Sequence, residues 1–346
     1  MKISVIIPAR NPDMRLLTEA LASVHEQTYK DYEILLINDG SDPAHSEEIR
    51  KAAGKWQDIR LFETDGSGVC AARNLGAEKA RGDVITYLDS DDLISPLCFE
   101  EAAAALQSRD IDAVWGGTVY GNADQLQAFR RSNESRQALG KEQLQEKLIV
   151  LSKEREHLSR AECIGEPCRF DGGIYINRGI AGRFIKKEKM AETALVFPEG
   201  IRIYEDAIWN LQMLQKMRVA YVSCPWYYYL ANENSVLNSF NLNVVSDLET
   251  PLALIKELID TDDPEEYTAY TRILMDSLRY ISLCLYNCEQ WHADPAEKKK
   301  LKDHIYGTDP WREIASDRYR KYAQGRDRLK ACLYRKKLLL LFWRYK

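Results

Sequence analysis

The stretch VITYLDSDDLISP, Val84–Pro96, sends an apolar strand directly into Asp89, Asp91 and Asp92. Neighbouring carboxylates repel, and a carboxylate beside an apolar core is costly unless something compensates it. Either this strand ends in open water or a cation sits at its end. The spacing of Asp89, Ser90 and Asp91 allows two carboxylates to share a hard divalent ion that in turn holds a diphosphate. Taken alone it is weak, because aspartates after a strand as often cap a turn or the next helix. Asp92, placed before LISP, is expected to do the capping.

The segments on either side repeat the pattern. ISVIIPA (Ile3–Ala9), YEILLIND (Tyr32–Asp39), IRLFET (Ile59–Thr64) and DAVWGGTVY (Asp112–Tyr120) read as strands. Helical spacing appears between them, in Leu16, Leu17, Ala20, Leu21 and Val24 behind Asp13, in Ser46–Ala53 and in GVCAARNLGAEKARG (Gly68–Gly82). Strands apolar on both faces with helices between them predict an α/β sheet covered on both sides. Ligands of such sheets bind beyond the carboxyl ends of the strands. Three polar clusters fall there: Asn38–Ser41, Asp65–Gly68 and Asp89–Asp92.

Residues 121–170 turn polar, with an amphipathic helix expected around Lys141–Ser159, and from about Asn241 the chain reads as helical. With 45% hydrophobic residues, 29% charged residues and a net charge of −5, the composition is that of a globular protein and argues against nucleic acid as a partner. Eight cysteines without a CxxC pair read as reduced thiols of a cytoplasmic protein without a leader. From Arg318 to Lys346 six Arg and five Lys face one acid, Asp327. The apolar run Leu338–Trp343 is far short of the roughly 20 residues that span a bilayer. Two readings of this tail stand side by side: a segment lying on an anionic membrane surface, or a helix packed on the domain with its charges solvated.

Two further motifs carry chemistry. DGSGVCAARNLG puts glycines at a helix start, where backbone N–H groups can approach an anion, but it has neither the Walker lysine nor the dinucleotide glycine spacing. Arg73 lies one turn into that helix. FPEGIRIYEDAIWNLQML puts Glu205 and Asp206 at a helix N-terminus, which suits either the helix dipole or a general base aimed at a hydroxyl.

In this order, SVIIPARN, ILLINDGS, GVCAARNLG, YLDSDD and EDAIWNLQML resemble the family 2 glycosyltransferases of the GT-A fold. The resemblance implies a mixed, Rossmann-like sheet with helices on both faces, as a catalytic domain over residues 1–235. Residues 1–116 would be its nucleotide-binding half and 117–235 its acceptor-side half. A helical subdomain, 236–346, would end in the basic tail, 318–346. The implied activity is inverting transfer of a hexose or N-acetylhexosamine from a nucleotide sugar, usually a UDP-sugar, with manganese or magnesium as cofactor. The implied acceptor is a glycan or a lipid-linked hydroxyl in bacterial surface polysaccharide or glycoconjugate synthesis, met at the inner face of the plasma membrane.

Carried over, Pro8, Ala9, Arg10 and Asn11 would line the base pocket and Asp39 would hydrogen-bond the base. Arg73 would lie on the nucleotide side, Asp89 with Ser90 would approach the ribose, and Asp91 would bind the metal. Asp206 would deprotonate the acceptor hydroxyl, supported by Glu205. Two positions depart from the family. Arg10 stands where an aromatic residue often stacks on the base. In YYYLANENS, Leu230 and Asn232 stand where an arginine or histidine often reaches the diphosphate, leaving Arg183, Lys186, Lys187 or Arg202 as substitutes. Leu230 is what favours the alternative of a non-catalytic nucleotide-sugar-binding subunit. A nucleotidyltransferase would need a glycine- and lysine-rich loop after the first strand, and IIPARNPDM has none. The aromatic-rich C-terminal helices are a candidate homo-oligomer interface.

Overall fold

Largely apolar segments become strands buried on both faces, and Ile3–Ala9, with Ser4 as its one polar member, is buried throughout. The computed structural model describes residues 1–107, 110–122, 125–126, 129–130, 149–151, 168–169, 175–176, 179–180, 182–230, 243–287 and 295–337. They divide into two units, Met1–Asn232 and Glu233–Lys346.

In the first unit, β1 (Ile3–Ala9), β2 (Tyr32–Asp39), β3 (Ile59–Thr64) and β4 (Val84–Tyr87) run parallel in the order β3-β2-β1-β4. Helices α1 (Met14–His25), α2 (Pro43–Ala53) and α3 (Val69–Lys79) connect them, and α4 (Cys98–Leu106) follows. Alternate residues of β1 serve opposite faces: Val5 and Ile7 pack with Leu17 and Leu21 of α1, Ile6 with Ala72 of α3. Asp13 caps α1, its carboxylate accepting from the N–H groups of Arg15 and Leu16. Gly76 lets α3 lie on the sheet, since a Cβ there would stand 2.3 Å from Cγ2 of Ile6.

The sheet then becomes mixed, as the resemblance implied. β10 (Arg183–Lys186) is antiparallel to both β4 and β6 (Ala113–Gly121), and β6 runs parallel to β11 (Val219–Leu230). Asp92 does not cap a helix: β5 (Leu93–Ile94) follows it and pairs with β11, and α4 begins only at Cys98. The helix expected around Lys141–Ser159 lies outside the described residues except for Ile149–Leu151. Those three form a strand instead, β7, antiparallel to β11. Short strands β8 (Cys168–Arg169) and β9 (Tyr175–Ile176) pair with each other, and β9 pairs with β6. Helices α5 (Lys187–Thr193) and α6 (Glu205–Lys216) complete the unit, α6 placing Trp209 and Met213 in the core beneath the α3 face.

The second unit is helical, as expected, over Val244–Leu258, Pro264–Asn287, Pro295–Gly307, Asp317–Tyr322 and Gly325–Arg335, with a 3-10 turn at Trp311–Ala315. Part of the basic tail is anchored in its core. Tyr319, Ala331 and Tyr334 are buried, and the Tyr319 hydroxyl donates to the Thr271 carbonyl at 2.7 Å. Several of its charges are matched within the unit, Arg335 by Asp317 and Lys330 by Asp327. No helix among the described residues is long and apolar enough to cross a membrane.

Candidate active site

The loops after β1 to β4 meet beyond their carboxyl ends. Gly40 turns with φ +66°, where a Cβ would stand 2.5 Å from the Gly66 nitrogen, so the loops after β2 and β3 touch backbone to backbone. Asp39 is buried between them, accepting from the Thr64 hydroxyl at 2.7 Å and from the Gly68 N–H at 3.0 Å. Asn11, itself at φ +45°, ties the loop after β1 to the next one. Its N–H donates to Ser41 Oγ at 2.9 Å and its Oδ1 accepts from the Asp42 N–H at 2.9 Å. Pro8 and Ala9 lie inside β1 and are buried, so Arg10 and Asn11 are the exposed members of the first motif.

Arg73 organises the centre. It projects from α3, buried, with Nη2 3.0 Å from Asp89 Oδ1 and Nη1 3.2 Å from Glu205 Oε1. Its guanidinium also stands 5.1 Å from the centre of the Phe197 ring. Burial works against its charge, but Asp89 and Glu205 outweigh that and raise its pKa. The next residue, Asn74, exchanges two hydrogen bonds with the Phe197 backbone, at 3.0 and 2.8 Å. This pins the segment before α6 against α3. Tyr204, at φ +68°, then makes the left-handed turn that starts α6 with Glu205 and Asp206. A non-glycine residue in that region is strained, and such strain concentrates at functional sites.

Burial, and then the charge of Asp206, push Glu205 up to about 7, while Arg73 opposes the rise. Asp206 is half-buried, with Oδ1 accepting from the Ala207 N–H at 2.7 Å. Asp89, Ser90 and Asp91 are likewise half-buried.

Asp92 has a role that the sequence analysis missed. It is buried and accepts from the Tyr227 hydroxyl at 2.7 Å and from the Leu230 N–H at 2.9 Å. The same hydroxyl accepts from the Asp89 N–H at 3.3 Å. Burial, then Asp89 and Asp91, push Asp92 well above the usual carboxylate range, against these hydrogen bonds. The cluster is therefore not three equivalent charges: Asp89 is paired with Arg73, and Asp92 is driven toward its neutral form. The signal available in sequence was the tyrosine run Tyr227–Tyr229 at the end of a strand.

The substitute cations separate. Lys186 is in register with Val84, the first residue of β4, and the Lys187 ammonium donates to the Ala80 carbonyl, so both lie at the wrong end of the strand. Arg183 is buried with its guanidinium 4.0 Å from the centre of the Trp115 ring. Arg202, exposed and three residues ahead of Glu205, remains. Asn232 lies outside the described residues. Among these residues no group of three or more His, Cys, Asp or Glu is placed to hold a metal. Asp89 and Asp91 are half-buried carboxylates two positions apart, a hard-oxygen donor set of the type that magnesium uses when substrate oxygens complete its coordination.

The family model for glycosyl transferase family 2 matches residues 4–181, half of the chain. The chain is 27% identical to the glycosyltransferase EpsJ of Bacillus subtilis over 235 residues, 68% of this chain and 62% of EpsJ. It is 28% identical to glycosyltransferase GlyG of Streptococcus pneumoniae over 250 residues, 71% of this chain and 76% of GlyG. The match thus spans less than two thirds of EpsJ, and 37% of a Haemophilus influenzae glycosyltransferase. Among solved structures, S. aureus TarS 1–349 in complex with UDP-GlcNAc superposes with a TM-score of 0.62 at 17% identity, covering 98% of this chain and 88% of that one. The mannosyltransferase PcManGT of Pyrobaculum calidifontis, in complex with GDP-Man and Mn2+, does so with 0.51 at 16% identity, covering 99% and 88%. These likenesses show the fold, the GT-A sheet. The chain belongs to glycosyltransferase family 2.

Proposed function

We propose that the protein transfers a sugar, with inversion, from a UDP-sugar to a hydroxyl of a glycan or lipid-linked acceptor in bacterial surface polysaccharide or glycoconjugate synthesis. The observation that carries this reading is the Arg73 bridge. It brings Asp89 of one motif and Glu205 of another, 116 positions later, onto a single guanidinium at 3.0 and 3.2 Å. Nucleotide-side and acceptor-side carboxylates thereby share one site. UDP-GlcNAc in TarS, and GDP-Man with Mn2+ in PcManGT, are the donors and metal that proteins of this fold carry.

In this reading the loops around Asp39 and Arg10 receive the base, and Asp89 with Ser90 faces the ribose. A divalent ion on Asp91 would offset the charge that develops on the departing diphosphate. Asp206 takes the proton of the attacking hydroxyl, which general-base chemistry requires on the side opposite the leaving group. Glu205, held by Arg73, places a second carboxylate beside Asp206 and keeps that base oriented. Arg202 is the exposed cation nearest in sequence to this pair.

The test is a panel of nucleotide sugars assayed for binding and hydrolysis with and without manganese, on the wild type and Asp206→Asn. UDP-sugars should bind in a manganese-dependent way. Asp206→Asn should lose transfer by about 100-fold or more, the usual size of a general-base contribution, with UDP affinity kept. Near-normal turnover in that variant would remove Asp206 from the role.

A further inference from the structure

Tyr120 of β6 and Tyr229 of β11 are partners in register on parallel strands. Their ring centres are 5.2 Å apart and inclined by 49°. They are 38% and 37% exposed, and no other aromatic residue whose exposure is described is as open. Residues two apart on a strand share a face, so Tyr229 stands on the side of β11 that carries Tyr227, whose hydroxyl reaches Asp92 and the Asp89 N–H. Tyr228 points the other way and donates to the Asn122 carbonyl at 2.6 Å. The ring of Tyr229 thus stands on the same face of β11 as the hydroxyl that ties Asp92 and the Asp89 backbone, with Tyr120 beside it.

Sheet order says which substrate lies there. The loops assigned to the base follow β1, β2 and β3, and the strands run β3-β2-β1-β4-β10-β6-β11. The tyrosine pair stands on β6 and β11, beyond β4 and its aspartates, on the side away from the base. Under the glycosyltransferase reading the acceptor hydroxyl approaches from that side, where Asp206 would take its proton. Tyrosine offers a large apolar face with little rotamer entropy and a hydroxyl for hydrogen bonding. A pyranose complements it, with a C–H face for the rings and hydroxyls at its edge for the carboxylates.

We propose that Tyr120 and Tyr229 form the platform on which the terminal sugar ring of the acceptor stacks, so that the enzyme extends a saccharide end and not a bare lipid phosphate or alcohol. This rests on the glycosyltransferase reading and adds its acceptor class.

Saturation-transfer NMR on the full chain with UDP and Mg2+ tests it. The probes are the methyl β-glycosides of glucose, galactose and N-acetylglucosamine. The wild type should transfer saturation to the ring C–H protons of at least one probe. Tyr120→Ala and Tyr229→Ala should weaken that binding roughly tenfold, the size of one aromatic contact, while the Phe variants retain it. UDP affinity should stay unchanged in all four variants. Unchanged probe binding in both Ala variants, or no saturation of any probe by the wild type, overturns the proposal. Failure of the wild type to bind UDP would instead overturn the UDP-sugar reading on which this rests, so the two failures are distinct.

Discussion

Arg73 shows how little a single residue type discloses. Its place one turn into a helix after a glycine-rich loop pointed to the nucleotide, yet both ends of its guanidinium are taken by Asp89 and Glu205. The same site contains a titration that stability can report. Glu205 is raised from its ordinary value of 4.5 to about 7 by burial and by Asp206. The folded state thus holds this proton more tightly than the unfolded chain does. Its contribution to stability is fully present below pH 4.5 and is lost as pH rises through about 7. Measured by thermal melts in buffers from pH 4.5 to 8, Glu205→Gln should flatten that decline relative to the wild type. A wild type whose stability rises with pH in step with the variant would contradict the assignment.

At the scale of elements, the site depends on how closely α3 approaches β1. Gly76 makes that contact, and an alanine methyl would stand 2.3 Å from Ile6 Cγ2. Overpacking of this kind costs about 1–3 kcal/mol. Because Arg73 and Asn74 lie on the same helix, lifting α3 should also weaken UDP binding. Denaturant unfolding should show Gly76→Ala destabilised by that amount. The double variant Ile6→Ala/Gly76→Ala should be less destabilised than the sum of the two single changes, since the clash has been removed. Strict additivity would mean that the close approach carries no strain. The other decisive element is β11, whose end holds Tyr227, Tyr229 and Leu230; the Leu230 N–H is spent on Asp92. That bond ties the end of β11 to the loop bearing Asp89 and Asp91.

At the scale of the whole molecule, the described part of the basic tail reaches Lys337. Its earlier part is built into the helical unit through Tyr319, Ala331 and Tyr334. Deleting 318–346 should therefore unfold that unit and would say nothing about membranes. Deleting only 338–346, the segment LLLLFWRYK, is the informative change. Under the membrane reading, partition onto phosphatidylserine vesicles should fall in a salt-sensitive way. Equal partition of both proteins would leave the packed-helix reading.

The sequence by itself determined the layers and the motifs. Strand-length, largely apolar runs such as Ile3–Ala9 point to strands covered on both sides, and a polar cluster after such a run falls at the carboxyl edge where ligands bind. These are local or periodic properties, so they survive without coordinates. What only the tertiary structure decided depends on contacts between distant segments: that Arg73 clamps two motifs, that Asp92 is a buried anchor for β11, and that Lys186 and Lys187 lie at the far end of the sheet. The antiparallel insertion of β10 between β4 and β6 set the last of these. A hydrophobic pattern records that a strand is buried, and carries no record of its neighbour or its direction.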